Sequence, residues 1–177
     1  SKDDAVAVAR LRAAGAVIFG KSNTPRLAQD VQTFNPIYGT TNNPWNTERT
    51  TGASSAGAGA AQAAGLCALA TGSDGGGSIR IPASFCGVFG IKPSQGRVPQ
   101  PYLGPGGWRQ FSQNGPITRT VRDAAMLLQV MAGPDPSDPT AIKEPLSDLS
   151  ASLNQGVRGL HLGWSPNLGS LPVDPDV

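Results

Sequence analysis

A chain of 177 residues can bury one sizeable core, so a single domain is expected. Its formal net charge of +2, from 14 Lys and Arg against 12 Asp and Glu, is too small to argue for nucleic acid or an anionic membrane as a partner. No apolar run approaches the roughly 20 residues that span a bilayer, and no basic start followed by an apolar stretch marks secretion.

Asp3 and Asp4 open a predicted helix with Ala5, Val8 and Ala9 on its apolar side. Arg10 and Arg12 in its last turns match the helix dipole, and Gly15 ends it. Ala16 to Phe19 reads as a short buried strand. Residues 32–50, rich in Asn, Gly and Pro, read as loop. A helix of tiny side chains is expected from about Ala56 to Ala64, stopping at Gly65. Leu66 to Ala70 reads as the next buried strand, followed by a glycine turn and a short helix from about Ile79.

Val88 to Ile91 is a third candidate strand. Residues 93–117 are Gly- and Pro-rich, and a structureless stretch of that length is expected either to carry function, such as shaping a pocket, or to pack on something outside these residues. Thr120 caps a helix with Asp123 at the capping-box position; Val121, Ala124, Ala125 and Leu128 form its apolar stripe, and Gly133-Pro134 ends it. Leu160 to Leu162 reads as one more strand. Helices between buried strands indicate an α/β fold, with a mixed, largely parallel twisted sheet flanked by helices.

The segment from Thr51 to Pro93 carries the chemistry. It sets two serine-bearing turns, Ser54-Ser55 and Gly75-Gly76-Gly77-Ser78, around a unit of small residues. Glycines let backbone N–H groups converge on a ligand, and serine supplies a nucleophile. With Ser78 as N-cap, Pro82 takes the fourth helical position, where a missing N–H costs nothing. The Ser78 hydroxyl would then sit at a positive helix end beside the N–H groups of Gly75, Gly76 and Gly77. A plain N-cap serine after a turn accounts for the same residues.

GASSAGAGAAQAAG followed by ATGSDGGGSIRIPASFCGVFGIKPS closely resembles the glycine- and serine-rich signature of the amidase signature family. AAGAVIFGKSNTP resembles that family's upstream lysine segment, and the spacing of the two serines (78 − 54 = 24) fits its pattern. NGPITRTVRDAAMLLQVMAGPDPSDP and, more weakly, GWSPNLGSLPVDP extend the similarity over nearly the whole chain. A joint match of this length is far more specific than a lone short motif.

The resemblance implies a Ser-cisSer-Lys triad: Ser78 as nucleophile, Ser54 as bridging serine after a cis peptide bond, and Lys21 as base. Ser55, Asp74 and Arg80 match supporting positions, and the backbone around Gly75, Gly76 and Gly77 matches the oxyanion hole. Lys21 must be desolvated to act as a neutral base, since a free lysine has a pKa near 10.4. Its place directly after the apolar run Ala16 to Phe19 would set it beside the core. Ala53 and Ala56 stand where glycines are more usual around the serine pair, and a Cβ at position 53 restricts a tight turn.

The activity so implied is hydrolysis of a small-molecule carboxylic amide to carboxylate and ammonia or amine, with no metal or organic cofactor. Self-association stays open. Family members are longer, so residues 1–177 would be the central part of such a domain, incomplete at both ends, and a catalytically incomplete fragment is an alternative. Another is the glutamine-hydrolysing component of an aminoacyl-tRNA amidotransferase, which commonly has Gln where Ile81 stands.

Other chemistries fit less well. GAVIFGKS at residues 15–22 satisfies the P-loop pattern, but its variable residues form the expected strand and Pro25 disfavours the required helix. Gly57-Ala58-Gly59 lacks the third glycine of a dinucleotide fingerprint, because Gln62 occupies it. His161, the one histidine, reads as a structural or surface residue between Leu160 and Leu162. Trp45, Trp108 and Trp164 read as packing or pocket-wall residues. Cys67 and Cys86, in apolar stretches, read as buried free thiols, which fits a reducing, cytoplasmic setting.

Overall fold

The computed structural model describes residues 3–100 and 108–175, with the side chains of Trp108 and Arg109 outside that description. The described residues form four helices: α1 (Val6–Ala13), α2 (Ala56–Ala63), α3 (Arg80–Cys86) and α4 (Val121–Met131). Their strands are β1 (Phe34–Asn35), β2 (Gly39–Thr40), β3 (Ala70–Asp74), β4 (Phe89–Gly90) and β5 (Gln113–Thr118). Single 3-10 turns occupy Arg26–Ala28 and Trp108–Phe111.

The mixed α/β class holds, while the described strand pairings are antiparallel where a largely parallel sheet was expected. The main sheet has the order β3-β5-β4. Since β5 runs antiparallel to both neighbours, β3 and β4 are parallel to each other, joined by α3. The expected crossover unit is therefore present, split by a later strand between its two members. That strand, β5, falls in the stretch read as a structureless loop. Its QNGPIT sequence looks like a breaker, yet Gln113, Gly115, Pro116, Ile117 and Thr118 are buried. Glycine is demanded at position 115, because a Cβ there would collide with the Ile91 carbonyl oxygen.

Two apolar clusters hold the fold. Ala7, Val98, Leu127, Leu128 and Met131 join α1 to α4, with Leu11 and Leu69 packed on them. Ala58, Ile79 and Ile117 join α2, the start of α3 and the central strand. Thr120 caps α4 as expected: its Oγ1 accepts the Asp123 N–H at 3.1 Å and donates to Asp123 Oδ2 at 2.7 Å. The buried stripe of α4 is Ala124, Ala125, Leu127, Leu128 and Met131, whereas Val121 is exposed.

The face of α1 also differs from expectation. Ala7 and Leu11 pack inward, and Arg10 spends its guanidinium on another helix. It donates to the carbonyls of Met131, Ala132, Gly133 and Pro134 at 2.6–3.1 Å, covering the negative end of α4.

Three expected strands do not form as read. Residues 16–19 are coil with Val17 86% and Phe19 76% exposed, and no described strand pairs with them. The strand expected at Leu66 to Ala70 begins only at Ala70 and runs on to Asp74, leaving Leu66 exposed. Its start is fixed by pairing with β5, where Ala70 faces Ile117. Leu160 to Leu162 is exposed coil, and His161 is exposed with it. Trp45 and Trp164 are largely exposed rather than buried by packing.

Candidate active site

Asp74 builds the turn that carries Ser78. It closes β3, is fully buried, and points its carboxylate into the backbone that follows. Oδ1 accepts the Gly77 N–H at 2.7 Å, and Oδ2 accepts the Ile79 and Arg80 N–H groups at 3.2 Å. The Arg80 guanidinium closes a bidentate pair, Nε to Oδ2 at 2.9 Å and Nη2 to Oδ1 at 3.0 Å. Burial alone would raise the Asp74 pKa, but the guanidinium and the three N–H groups outweigh it and hold the carboxyl at about 2.

Helix α3 begins at Arg80, later than expected, with Ile79 as its N-cap and Pro82 in the first turn. The Ser78 hydroxyl is therefore not used as a cap. Ser78 is half-buried, and its Oγ has no hydrogen-bond partner among the described residues. The plain capping role that the sequence left open does not apply.

The paired-serine turn lies against this one. The Ala53–Ser54 peptide bond is cis, as the family resemblance implies, with alanine at 53 in place of the usual glycine. Ser54 and Ser55 are buried at 6% and 7% exposure. The Ser55 N–H donates to the Ser78 carbonyl at 3.1 Å. Ser55 Oγ donates to the Ser73 carbonyl at 3.3 Å and accepts the Ser73 N–H at 3.2 Å, fixing the turn to the edge of β3. Ile81 abuts both turns, with Cγ2 against Gly52 and Cδ1 against Gly77.

Two expectations need correction. The Gly77 N–H is committed to Asp74, so it is not a free oxyanion donor; the N–H groups of Gly75, Gly76 and Ser78 make no described hydrogen bond. The burial expected of Lys21 is not supplied by the described residues either. Its side chain is exposed, without a hydrogen-bond or ion-pair partner among them, because the apolar run before it does not pack into the core. The backbone just beyond Lys21 is nevertheless held beside the serines. Asn23 presses on the first turn of α2 so closely that a Cβ at Gly57 would collide with its backbone.

Asn43 was missed beside the site, and Trp45, read as a packing or pocket-wall residue, acts there through its indole N–H. Asn43 Nδ2 donates to the Thr50 carbonyl at 3.1 Å and the Phe85 carbonyl at 2.8 Å. Trp45 Nε1 donates to the Cys86 carbonyl at 2.7 Å. The one signal in the sequence was an Asn-Pro-Trp run inside an otherwise ordinary loop, which turn chemistry accounts for equally well.

Comparison with known proteins shows the family to which the chain belongs. The family model described as Amidase matches residues 1–177. An acylamidase of Rhodococcus erythropolis is 49% identical over 174 residues, covering 98% of this chain and 36% of the relative. A glutamyl-tRNA(Gln) amidotransferase component of Syntrophobacter fumaroxidans is 49% identical over 160 residues, covering 90% of this chain and 33% of the relative. Among solved structures, a bacterial aryl acylamidase of the amidase signature enzymes superposes with a TM-score of 0.90 at 37% identity, over 99% of this chain and 36% of its own. The chain belongs to the amidase signature family. It spans about a third of the length of these relatives.

Proposed function

We propose that this protein hydrolyses a small-molecule carboxylic amide through an acyl-enzyme on Ser78, with Ser54 passing the proton to Lys21. The observation that carries the proposal is the 3.1 Å hydrogen bond from the Ser55 N–H to the Ser78 carbonyl, which brings the two serine turns into contact. Ser78 Oγ attacks the amide carbon and gives its proton to Ser54 Oγ as Ser54 gives its own to the neutral amine of Lys21. The negative oxygen forms beside the unspent N–H groups of Gly75, Gly76 and Ser78. The C–N bond then breaks, the relay returns a proton to the leaving amine, and water hydrolyses the ester to the carboxylate.

Asp74 is unsuited to be the base, because a carboxylate with a pKa of about 2 binds a proton too weakly near neutral pH. Its part, with Arg80 and Ser55, is to hold the turn. The base role of Lys21 rests on the contact of the following residues with α2, and it requires that the ammonium lose water in the complete protein. Residues 1–177 are read as the central part of an amidase signature domain. Large exposed side chains such as Val17, Phe19, Ile37 and Tyr38 are read as surface covered there, and the cover over Val17 and Phe19 is what would desolvate Lys21.

The partner proposed is a small-molecule amide substrate, with neither nucleic acid nor membrane bound directly. No described helix is long and apolar enough to cross a membrane. The free thiols Cys67 and Cys86 support a reducing, cytoplasmic setting.

A second proposal, glutamine hydrolysis within an amidotransferase, draws on the 49% identity to the amidotransferase relative. Ile81, standing where such components commonly have Gln, favours the free-standing amidase. Fluorophosphonate treatment of the complete protein, with mass-spectrometric mapping of the adduct and a panel of amides, tests the main proposal. Glutaminase activity that requires a partner protein would favour the second.

A further inference from the structure

The four carbonyls at the C-terminal end of a helix have no partner within it. In α3 these belong to Ala83, Ser84, Phe85 and Cys86. The chain satisfies the first two itself, through the Gly87 and Val88 N–H groups. The other two are taken by side chains of one distant loop, Phe85 by Asn43 Nδ2 at 2.8 Å and Cys86 by Trp45 Nε1 at 2.7 Å. Asn43 is 5% exposed, and its Oδ1 accepts the Trp45 N–H at 3.0 Å, which links the two capping side chains.

The second proton of Asn43 Nδ2 goes to the Thr50 carbonyl at 3.1 Å, on the segment that leads directly into Thr51, Gly52 and the Ser54 turn. One buried amide thus joins the chain entering the Ser54 turn to the helix leaving the Ser78 turn. We infer that Asn43, seconded by Trp45, is a positioning residue that sets the separation of Ser54 and Ser78. Asp74 pins the N-terminal end of α3, and Asn43 with Trp45 pins the other end to the loop that carries Ser54. Without the second anchor the helix can slide relative to that loop, and proton passage between two hydroxyls fails over small displacements. The inference rests on the proposed roles of Ser54 and Ser78.

The test uses the complete protein and an amide that it turns over, with three variants. Asn43→Leu keeps the size and removes both donors. Asn43→Asp keeps the oxygen facing Trp45 but removes the donors. Trp45→Phe keeps an aromatic ring and removes the indole N–H. The expected result is a fall of about ten-fold or more in kcat and in the rate of Ser78 phosphonylation for both Asn43 variants, with KM within about two-fold, measured well below each unfolding midpoint. Trp45→Phe should show the same pattern with a smaller fall. A merely structural role would lower the midpoint and leave kcat per folded molecule unchanged, and that outcome overturns the inference. If the Asn43 variants do not fold, an unchanged kcat in Trp45→Phe overturns it. If the wild-type adduct forms elsewhere than on Ser78, the nucleophile assignment fails and the inference with it. Normal labelling of Ser78 in the wild type with full kcat in the folded Asn43 variants sinks the inference alone.

Discussion

Ser55 donates its backbone N–H to the carbonyl of Ser78 at 3.1 Å, tying the N-terminal end of α2 to the turn ahead of α3. Each serine turn is also fixed independently to β3, the first through Ser55 Oγ and the Ser73 backbone, the second through the Asp74 carboxylate. One short strand thus gives both turns a common anchor, besides the direct bond between them. Changes at Ser55 should damage geometry more than chemistry: Ser55→Ala is expected to lower kcat while the Ser78 adduct still forms, as read by intact-protein mass spectrometry.

Asp74 makes stability depend on acid. Its folded pKa, about 2, lies below the ordinary 3.8, so the folded form binds a proton less readily than the unfolded chain. The stabilisation is fully present above the unfolded value and is lost as pH falls through about 2. The shift corresponds to roughly 2 kcal/mol. Urea unfolding of wild type and Asp74→Asn between pH 6 and about 2 should show the difference between them shrinking as pH falls. A difference independent of pH would mean that the carboxyl titrates alike in the folded and unfolded chain, and one that grows as pH falls would mean that the fold keeps it protonated.

Gly115→Ala should prevent normal folding or lower stability by about 3 kcal/mol, the upper range for overpacking. The added Cβ meets the Ile91 carbonyl, which is backbone and cannot rotate away. Thermal unfolding reads this directly. Thr120→Ala removes the acceptor for the Asp123 N–H and should cost about 1 kcal/mol, with Thr120→Ser restoring most of it.

How much of this was legible beforehand depended on how local each signal was. The Thr120 cap, the small-residue helix ending before Gly65, and the contact of the two serine turns followed from short-range chemistry and a specific family pattern. β5 was not legible, because Gly115 and Pro116 weaken a strand by propensity, and only pairing with β3 and β4 overrides that. The run Ala16 to Phe19 failed in the opposite sense. It has the composition of a buried strand but finds no pairing partner among the described residues. The expected burial of Lys21 rested on that run, so it too is missing from this part of the fold.

Lys21→Ala in the complete protein should slow Ser78 phosphonylation by about a hundred-fold or more, the lower range for losing a general base. Stopped-time labelling followed by mass spectrometry measures it. Labelling within about three-fold of wild type, the small effect usual for an exposed side chain, would remove the lysine from the relay.

The central claim is that Ser78 is the nucleophile. The most direct measurement is the site of the covalent adduct after fluorophosphonate treatment of the complete protein, set against turnover of an amide substrate. A single adduct on Ser78, with Ser78→Ala folded, unlabelled and inactive, is the predicted result. Full turnover by Ser78→Ala, or an adduct on another residue, would contradict it.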